Sequence, residues 1–236
     1  MKKSIRLLVL ALTLVVPAAS AQAADSLPAA VDLSQWTPPI GFQDYGKNCT
    51  EWATGYSLYG WYMRKRGTYP TGGFSPGFLY SQVPRDRWGG TEINDALWVL
   101  QHRGIVPRHD YPQGDPDLTR PTKAQMREAR GYRIAGYLLA QGPGLGETIK
   151  ADIAAGTPVV LSIPFFTYMA TLTATDFAID RVGQYGGNHV VFADGYNSYG
   201  VWFASSWGPW WGFHGRAELS WAFVNRYVTE AATMTL

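Results

Sequence analysis

The chain of 236 residues contains one cysteine, Cys49. A single thiol cannot form an internal disulfide, which excludes the bridged framework that stabilises many small secreted proteins. Histidine, aspartate and glutamate do not recur at metal-ligand spacing, so the sequence predicts no metal site and no cofactor. The lone thiol is therefore either a small buried apolar side chain or a reactive group.

Long apolar segments are also scarce, and the one at the N-terminus is short. Three basic residues precede the run LLVLALTLVV, and an Ala-Gln-Ala triplet that ends at Ala23 offers a cleavage site. The run is shorter than the roughly 20 residues that span a bilayer. We therefore predict a signal peptide over residues 1–23, a mature chain without an integral membrane segment, and a periplasmic or secreted location.

An excess of charge of one sign is missing as well. The formal net charge is +2, and loss of the three basic residues of the leader brings it to −1. Such a chain gives no electrostatic reason to expect a nucleic-acid partner. Aromatic residues, in contrast, make up 14% of the chain. This abundance suits a rigid protein with an aromatic-lined cleft.

The first half of the mature chain has the periodicity of helices. After Cys49, aromatic residues recur at helical spacing at Trp52 and Tyr56, which predicts a helix as far as about residue 66 with Asn48 as its N-cap. Two more helices are predicted over residues 75–83 and 91–103. A helical turn is expected near residues 124–128, and another helix over 146–155, capped by Thr148 or a neighbour.

Strands dominate the second half. They are predicted over residues 132–139 and 159–165 and in the segments HVVFADGY, VWFASSW and GRAELSW. Helices followed by strands indicate an α+β protein. We predict one domain over residues 24–236, with a helical lobe over about 45–125, an antiparallel sheet or barrel over about 130–236, and a cleft between them.

Three residues are spaced as a thiol hydrolase requires. Gln43 precedes Cys49 by six residues, and His189 follows Cys49 by about 140 residues, near the start of an apolar strand. A helix N-terminus and an adjacent imidazolium both favour a thiolate at Cys49. A carboxylate at Glu51 would oppose it if it faced the sulfur. The Gln43 amide could stabilise an oxyanion.

Five ordered segments resemble the papain-like cysteine peptidases. Gln43 to Cys49 matches the spacing of the family's QGxCGSCW motif, and GGNHVVFADGY is similar to its histidine strand. The segments FSPGFLYSQV, RWGGTEINDALWVLQHRGIVPRHDYPQ and SSWGPWWGFHGRAEL resemble, in the same order, three further family motifs. The resemblance runs from about Val31 to the C-terminus and implies the two-lobed papain-like fold and a peptide or protein substrate, with the oligomeric state left open.

The resemblance also assigns roles by position. Cys49 would be the nucleophile, His189 the general base and acid, and Gln43 the oxyanion donor. Substrate would be bound by the remaining matched positions, namely Gly89, Gly90, Asn188 and Trp207, with the two glycines offering backbone hydrogen bonds to an extended peptide.

Three departures from the family pattern leave alternatives open. Ser205 stands where the family has the asparagine that orients the histidine, which predicts weakened activity. The family's disulfides cannot form, and little room exists for a propeptide before Val31. A second register, which aligns Trp52 with the family tryptophan, would put Glu51 in the nucleophile's place. The alternatives to a peptidase are therefore a weak or inactive peptide-binding protein and a cell-wall amidase or transferase with the same Cys–His chemistry.

Overall fold

A computed structural model describes residues 27–111 and 119–236. The predicted signal peptide lies outside these residues. So do Pro112 and Pro116, which belong to the proline-containing stretch 105–131 that the sequence predicts to be mostly loop. The described chain begins with an extended segment that contains strand β1 (Val31–Asp32) and a turn of 3-10 helix (Ser34–Trp36). This segment lies along the second half of the chain, because β1 pairs with a strand near residue 195.

One long helix forms the centre of the first half. It starts as α1 (Cys49–Glu51), continues as a π-helix (Trp52–Tyr59) and ends as α2 (Gly60–Lys65). The predicted helix is thus confirmed in extent, with a π-helical middle that the periodicity did not indicate. Asn48 is the N-cap residue, as predicted, but its side chain makes no capping hydrogen bond.

Three shorter helices follow it, namely α3 (Pro76–Tyr80), α4 (Ile93–His102) and α5 (Lys123–Ala129), and of these α3 and α4 pack against it. All three were expected from the sequence. Ser75 caps α3 by accepting from the Phe78 N–H, and Thr122 forms a capping box with Gln125 at α5. Gly55 of the π-helix allows close packing here, since a Cβ at that position would lie 2.5 Å from a Leu79 methyl of α3.

A sheet of eight strands forms the second half. After β1 come β2 (Gly136–Gln141), β3 (Val159–Phe166), β4 (Ala178–Ile179), β5 (Tyr185–Tyr196), β6 (Gly200–Ala204), β7 (Arg216–Ser220) and β8 (Glu230–Thr235). The strand order is β2-β8-β3-β5-β6-β7-β4, with β1 on β5. All pairs are antiparallel except β4 with β7. Helices α6 (Leu145–Ala154) and α7 (Trp221–Tyr227) pack together beside this sheet.

Several predicted boundaries in this half were wrong. Strand β2 begins at Gly136 rather than at residue 132, and Thr148 does not cap α6, whose N-cap is Gly144 with a φ of 82°. The segment after Ser220 turns into α7 because the Ser220 hydroxyl accepts from the Phe223 N–H. Strand β8 was not predicted. The α+β class itself is confirmed, with buried apolar clusters on the helical side and within the sheet side.

The two halves meet where the long helix begins. Strand β5 runs through the middle of the sheet and packs against α1 and the π-helix. This contact places the start of the helix beside the first buried residues of β5. Two segments that are far apart in the sequence therefore form one cleft, and the residues of that cleft include most of the predicted site.

Candidate active site

Cys49 is the first residue of α1 and lies at the floor of the cleft with its side chain partly exposed. Its sulfur is close to the Val190 N–H of β5 and to the Thr50 N–H of its own helix. The cleft is lined on the helical side by Gln43, Cys49, Thr50, Trp88, Gly90 and Thr91, and on the sheet side by Phe165, Asn188, His189, Val190 and Trp207. The structure thus brings Cys49 and His189 into one cleft.

His189 is held on three sides. It is a buried residue of β5 opposite Ile163 of β3. Its Nε2 lies 3.2 Å from the Ser205 Oγ, and its ring stacks on Trp207 with the ring centres 4.3 Å apart and the planes at 20°. The Ser205 contact and the stacked indole fix the orientation of the imidazole, and the indole keeps water from that face.

Burial decides the resting charge of this pair. Burial raises the pKa of the Cys49 thiol to about 11, although the Val190 N–H lowers it, and the neighbouring Glu51 raises it further. Burial also lowers the pKa of His189 to about 3. Burial therefore favours the neutral form of each group taken alone, which opposes the thiolate that the helix N-terminus was expected to favour.

Gln43 lies in the cleft wall close to Cys49 and is itself held in place. Its Nε2 donates to the Gly46 carbonyl at 2.7 Å, and its Oε1 accepts from the Ser206 hydroxyl. Its backbone N–H also donates to the Ser206 carbonyl. A primary amide carries two N–H donors, so one of them is left for a ligand in the cleft.

The predicted glycine pair lies on the helical side of the cleft, in a loop that is organised by Asp86, and of the two only Gly90 lines the cleft. Gly89 has a φ of 87°, which its lack of a Cβ permits. The Gly90 N–H donates to the Asp86 Oδ1 at 2.8 Å, and the Gly90 carbonyl accepts from the Asp86 N–H. The Gly89 carbonyl accepts from the Tyr80 hydroxyl. The Gly89 N–H also donates, to the Asp86 carbonyl at 3.1 Å. Both glycine N–H groups are therefore engaged within the loop, and what remains for a peptide is a second lone pair on each carbonyl.

Asn188 is the last predicted site residue. It lines the cleft next to His189, and its Oδ1 accepts from the Tyr185 hydroxyl at 3.0 Å. Sequence reasoning missed Ser206, Asp86 and Val190, which hold or contact the predicted residues. Only Asp86 had a local signal, because an aspartate shortly before a glycine pair is typical of a side-chain-capped turn.

Glu51 departs most from expectation. Its side chain is completely buried, and neither carboxylate oxygen has a hydrogen-bond partner in the described structure. Burial raises its pKa to about 8, while Thr91 and Arg85 lower it. Cys49, and not Glu51, lines the cleft. The register that puts Glu51 in the nucleophile's place is therefore at odds with the geometry.

Within residues 27–111 and 119–236, no group of three or more potential ligand side chains is arranged to hold a metal ion. In the same residues no helix is long and apolar enough to cross a bilayer.

Known proteins resemble this chain in structure rather than in sequence. No protein-family model matches it, and no curated protein matches its sequence. Xylellain, a cysteine protease from Xylella fastidiosa, superposes with a TM-score of 0.77 at 21% identity, over 89% of this chain and 87% of xylellain. Bromelain from Ananas comosus in complex with the inhibitor E64 gives a TM-score of 0.69 at 16% identity, over 89% of this chain and 99% of bromelain.

A cysteine protease from Carica candamarcensis in complex with E-64 gives a TM-score of 0.66 at 16% identity, over 88% of this chain and 98% of that one. These matches cover nearly the whole of the described chain. The chain therefore has the papain-like fold, with Cys49 at the helix start and His189 in the cleft.

Proposed function

We propose that this protein is a cysteine peptidase that hydrolyses peptide bonds through Cys49. The observation that carries the proposal is the meeting of Cys49, His189 and Gln43 in one cleft of a papain-like fold. The thiol lies at a helix start and the imidazole is oriented by Ser205 and Trp207. A nucleophile, a base with an orienting partner and an oxyanion donor are the parts that acyl transfer needs.

The first step is attack of the Cys49 sulfur on the scissile carbonyl while the thiol proton passes to His189. Burial disfavours either charge alone, so the proton is transferred inside the pair, where thiolate and imidazolium attract each other. The carbonyl oxygen becomes an oxyanion that accepts from the Cys49 N–H and from the second N–H of Gln43. The Cys49 N–H has no partner within the helix because it belongs to the first turn.

The second half of the cycle returns both groups to their resting state. His189 donates its proton to the leaving amine, the C–N bond breaks, and the acyl group remains on sulfur as a thioester. Water then attacks the thioester, gives a proton to His189, and the Cys49 thiolate leaves and takes that proton back. Throughout the cycle, Ser205 holds the imidazole and Trp207 covers it.

Active-site labelling and hydrolysis test the proposal together. The purified protein is incubated with E-64, the inhibitor found in two of the matched structures, and with a library of fluorogenic peptides. We expect one E-64 per chain on Cys49, and loss of both labelling and hydrolysis in Cys49→Ala and His189→Ala. Hydrolysis that persisted in Cys49→Ala would overturn the proposal.

Ser205 tests the orientation of the histidine. Ser205→Ala removes a hydrogen bond of about 1 kcal/mol, which corresponds to a loss of roughly fivefold to tenfold in kcat/KM. Ser205→Asn restores the side chain expected from the resemblance and should keep or raise the activity. An unchanged rate in Ser205→Ala would show that Trp207 stacking alone orients the ring.

A peptide-binding protein with little turnover is the second candidate. Ser205 in place of asparagine and the engaged Gly90 N–H favour it. It predicts that peptides bind to the Cys49→Ala variant as tightly as to the wild type, and that wild type neither hydrolyses them nor reacts with E-64. Peptidoglycan peptides in the same substrate panel separate general peptidase activity from an amidase or transferase of the cell wall.

Export belongs to the same proposal and rests on the sequence of residues 1–23. Expression of the full chain, cell fractionation and N-terminal sequencing would test it. We expect a mature N-terminus near Ala24 in the periplasmic or extracellular fraction. A chain that kept Met1 and stayed in the cytoplasm would contradict the export, while leaving the chemistry of Cys49 unaffected.

A further inference from the structure

The Glu51 carboxyl is the one group beside the nucleophile that the mechanism above does not use. It lies two residues after Cys49, in the first turn of the same helix. The side chain has no exposed surface, and both oxygens lack a hydrogen-bond partner in the described structure. A buried carboxylate without a partner is strongly unfavourable, so this side chain carries a proton in the resting protein.

The surroundings of Glu51 supply little to hold a negative charge. From α3 and the loop that follows it come Tyr80 and the exposed Arg85, and Arg85 lowers the pKa of Glu51 only weakly compared with the effect of burial. The Thr91 hydroxyl, from the loop before α4, lies near the carboxyl and also lowers its pKa, by less than burial raises it.

On the other side of α1 lie the reacting groups. Cys49 is on the same turn, and β5 contributes His189 as its titratable side chain at this contact. The charge on Glu51 raises the pKa of the Cys49 thiol, which means that carboxylate and thiolate disfavour each other. Because such coupling is mutual, each group holds its proton more tightly when the other is ionised.

An ordinary core does not need an acid at this position. The residues around it on the π-helix and α3 are mostly apolar and closely packed, and the Thr91 hydroxyl is a nearby polar side-chain group. The carboxyl therefore costs stability without contributing a contact. A group of this kind, adjacent to a nucleophile, has a consequence for reactivity whenever it gains or loses its proton.

We propose that Glu51 is a positioning residue that sets the alkaline limit of Cys49 reactivity: as the neutral acid it permits transfer of the thiol proton to His189, and as the carboxylate it opposes the thiolate. No covalent step involves Glu51, since the proton that it loses goes to solvent as the pH rises. This inference rests on the proposed function, because it concerns the same thiol.

Alkylation of Cys49 by iodoacetamide tests the inference without a peptide substrate. The rate constant is measured from pH 5 to 9.5 for wild type, Glu51→Gln and His189→Ala. We expect wild type and Glu51→Gln to agree within about twofold below pH 7, where both side chains are neutral and of the same shape. Above pH 8.5, Glu51→Gln should react about tenfold faster, the size of a charge interaction across one helical turn.

Two further variants serve as controls for the alkylation experiment, and infrared spectra measure the protonation of Glu51 directly. Glu147→Gln is the matched control, since Glu147 also lies in the first turn of a helix but is exposed and remote from the cleft; its profile should follow wild type. Glu51→Ala should show the same alkaline gain as Glu51→Gln if the charge matters rather than the amide. Infrared difference spectra of wild type minus Glu51→Gln should show a protonated carboxyl band at pH 6 that disappears by pH 9.5.

The outcomes separate this inference from the proposed function. Superimposable profiles of wild type and Glu51→Gln over the whole range would overturn the role of Glu51, even if His189→Ala slowed alkylation and the peptidase proposal stood. Slow alkylation that His189→Ala left unchanged would instead defeat the Cys–His pair. An absent infrared band at pH 6 would show that Glu51 is ionised in the resting protein, against the inference.

Discussion

Two carboxyl groups of this protein, Asp194 and Glu51, are completely buried, and they are treated in opposite ways. Asp194 of β5 accepts from both terminal nitrogens of Arg216, one at 3.0 Å, and from the Thr37 hydroxyl. Glu51 at the start of the long helix has no hydrogen-bond partner within the described residues. The same functional group is thus part of the scaffold in one place and an unsatisfied acid beside a nucleophile in the other.

The difference shows that the buried carboxyl of Asp194 stabilises the fold, whereas that of Glu51 lowers its stability. The Asp194–Arg216 pair fastens the N-terminal segment, through Thr37, to the sheet. Burial lowers the pKa of Arg216, but the Asp194 and Asp32 carboxylates together raise it by more, so the guanidinium stays charged inside the protein. Among the described residues no cation is hydrogen-bonded to Glu51. The carboxyl avoids a buried negative charge by keeping its proton. Buried acids without a partner are concentrated at functional sites because elsewhere they bring no advantage.

Removing the Asp194 carboxyl, which has hydrogen-bond partners, should have the largest effect on the free energy of unfolding. Asp194→Ala leaves the Arg216 guanidinium buried without its partner, and we expect a loss of about 3 to 5 kcal/mol in the free energy of unfolding. Urea denaturation at pH 7 measures it. The double variant Asp194→Ala with Arg216→Met should recover much of the loss, because no charge remains unpaired. An equal or larger loss in the double variant would mean that packing, rather than charge, holds this region.

Neutralising the unsatisfied carboxyl should instead stabilise the protein at higher pH. The folded-state pKa of Glu51 is raised to about 8, so the folded chain holds a proton that the unfolded chain has released. Stability is therefore lost as the pH rises from about 4.5 to about 8. We expect Glu51→Gln to gain on the order of 3 kcal/mol over wild type between pH 5 and 8. Urea denaturation at both values measures the gain, and a difference that did not change with pH would contradict it.

The smallest expected effect concerns two threonines, one beside each of the two buried carboxyl groups. The Thr37 hydroxyl donates to Asp194, whereas the buried Thr91 hydroxyl near Glu51 has no hydrogen-bond partner in the part of the chain that the structure describes. Thr37→Val should cost about 1 to 2 kcal/mol, since it removes a hydrogen bond to a charged group. Thr91→Val should change the free energy of unfolding by less than about 0.5 kcal/mol. A comparable loss in both variants, measured in the same urea titrations, would place a hydrogen bond at Thr91.

Much of the helical half could be read from the sequence because its signals are local. Ser75 before Pro76 and Thr122 before Gln125 define helix starts through contacts three residues apart. The C-terminal strands were harder. Strand β8 has the sequence EAATMT, with little intrinsic strand preference, and it is a strand because β2 and β3 pair with it on both sides. In the same way, aromatic and β-branched residues after Ser220 resemble a strand, yet the Ser220 cap starts α7.

In the candidate site, too, the sequence predicted some properties and the tertiary structure decided others. The positions of Cys49, Gln43 and His189 follow from spacing and from the ordered motifs, and the structure places all three in one cleft. Their charge states do not follow. A helix start and a nearby histidine suggested a thiolate, but burial raises the pKa of Cys49 and lowers that of His189 by more than those local effects compensate. Burial is a property of the whole fold, and no local pattern gives it.

The sequence by itself determined the helix that begins at Cys49, the α+β order of elements and which side chains could react, because those properties depend on residue type and on neighbours within a few positions. The tertiary structure alone decided that Ser206 would hold Gln43 across 163 residues, that Asp194 would pair with Arg216 and that Glu51 would have no hydrogen-bond partner among the described residues. Hydrogen bonds and desolvation depend on atoms brought together from distant parts of the chain. The chemistry of the cleft is therefore set by folding as much as by the residues that line it.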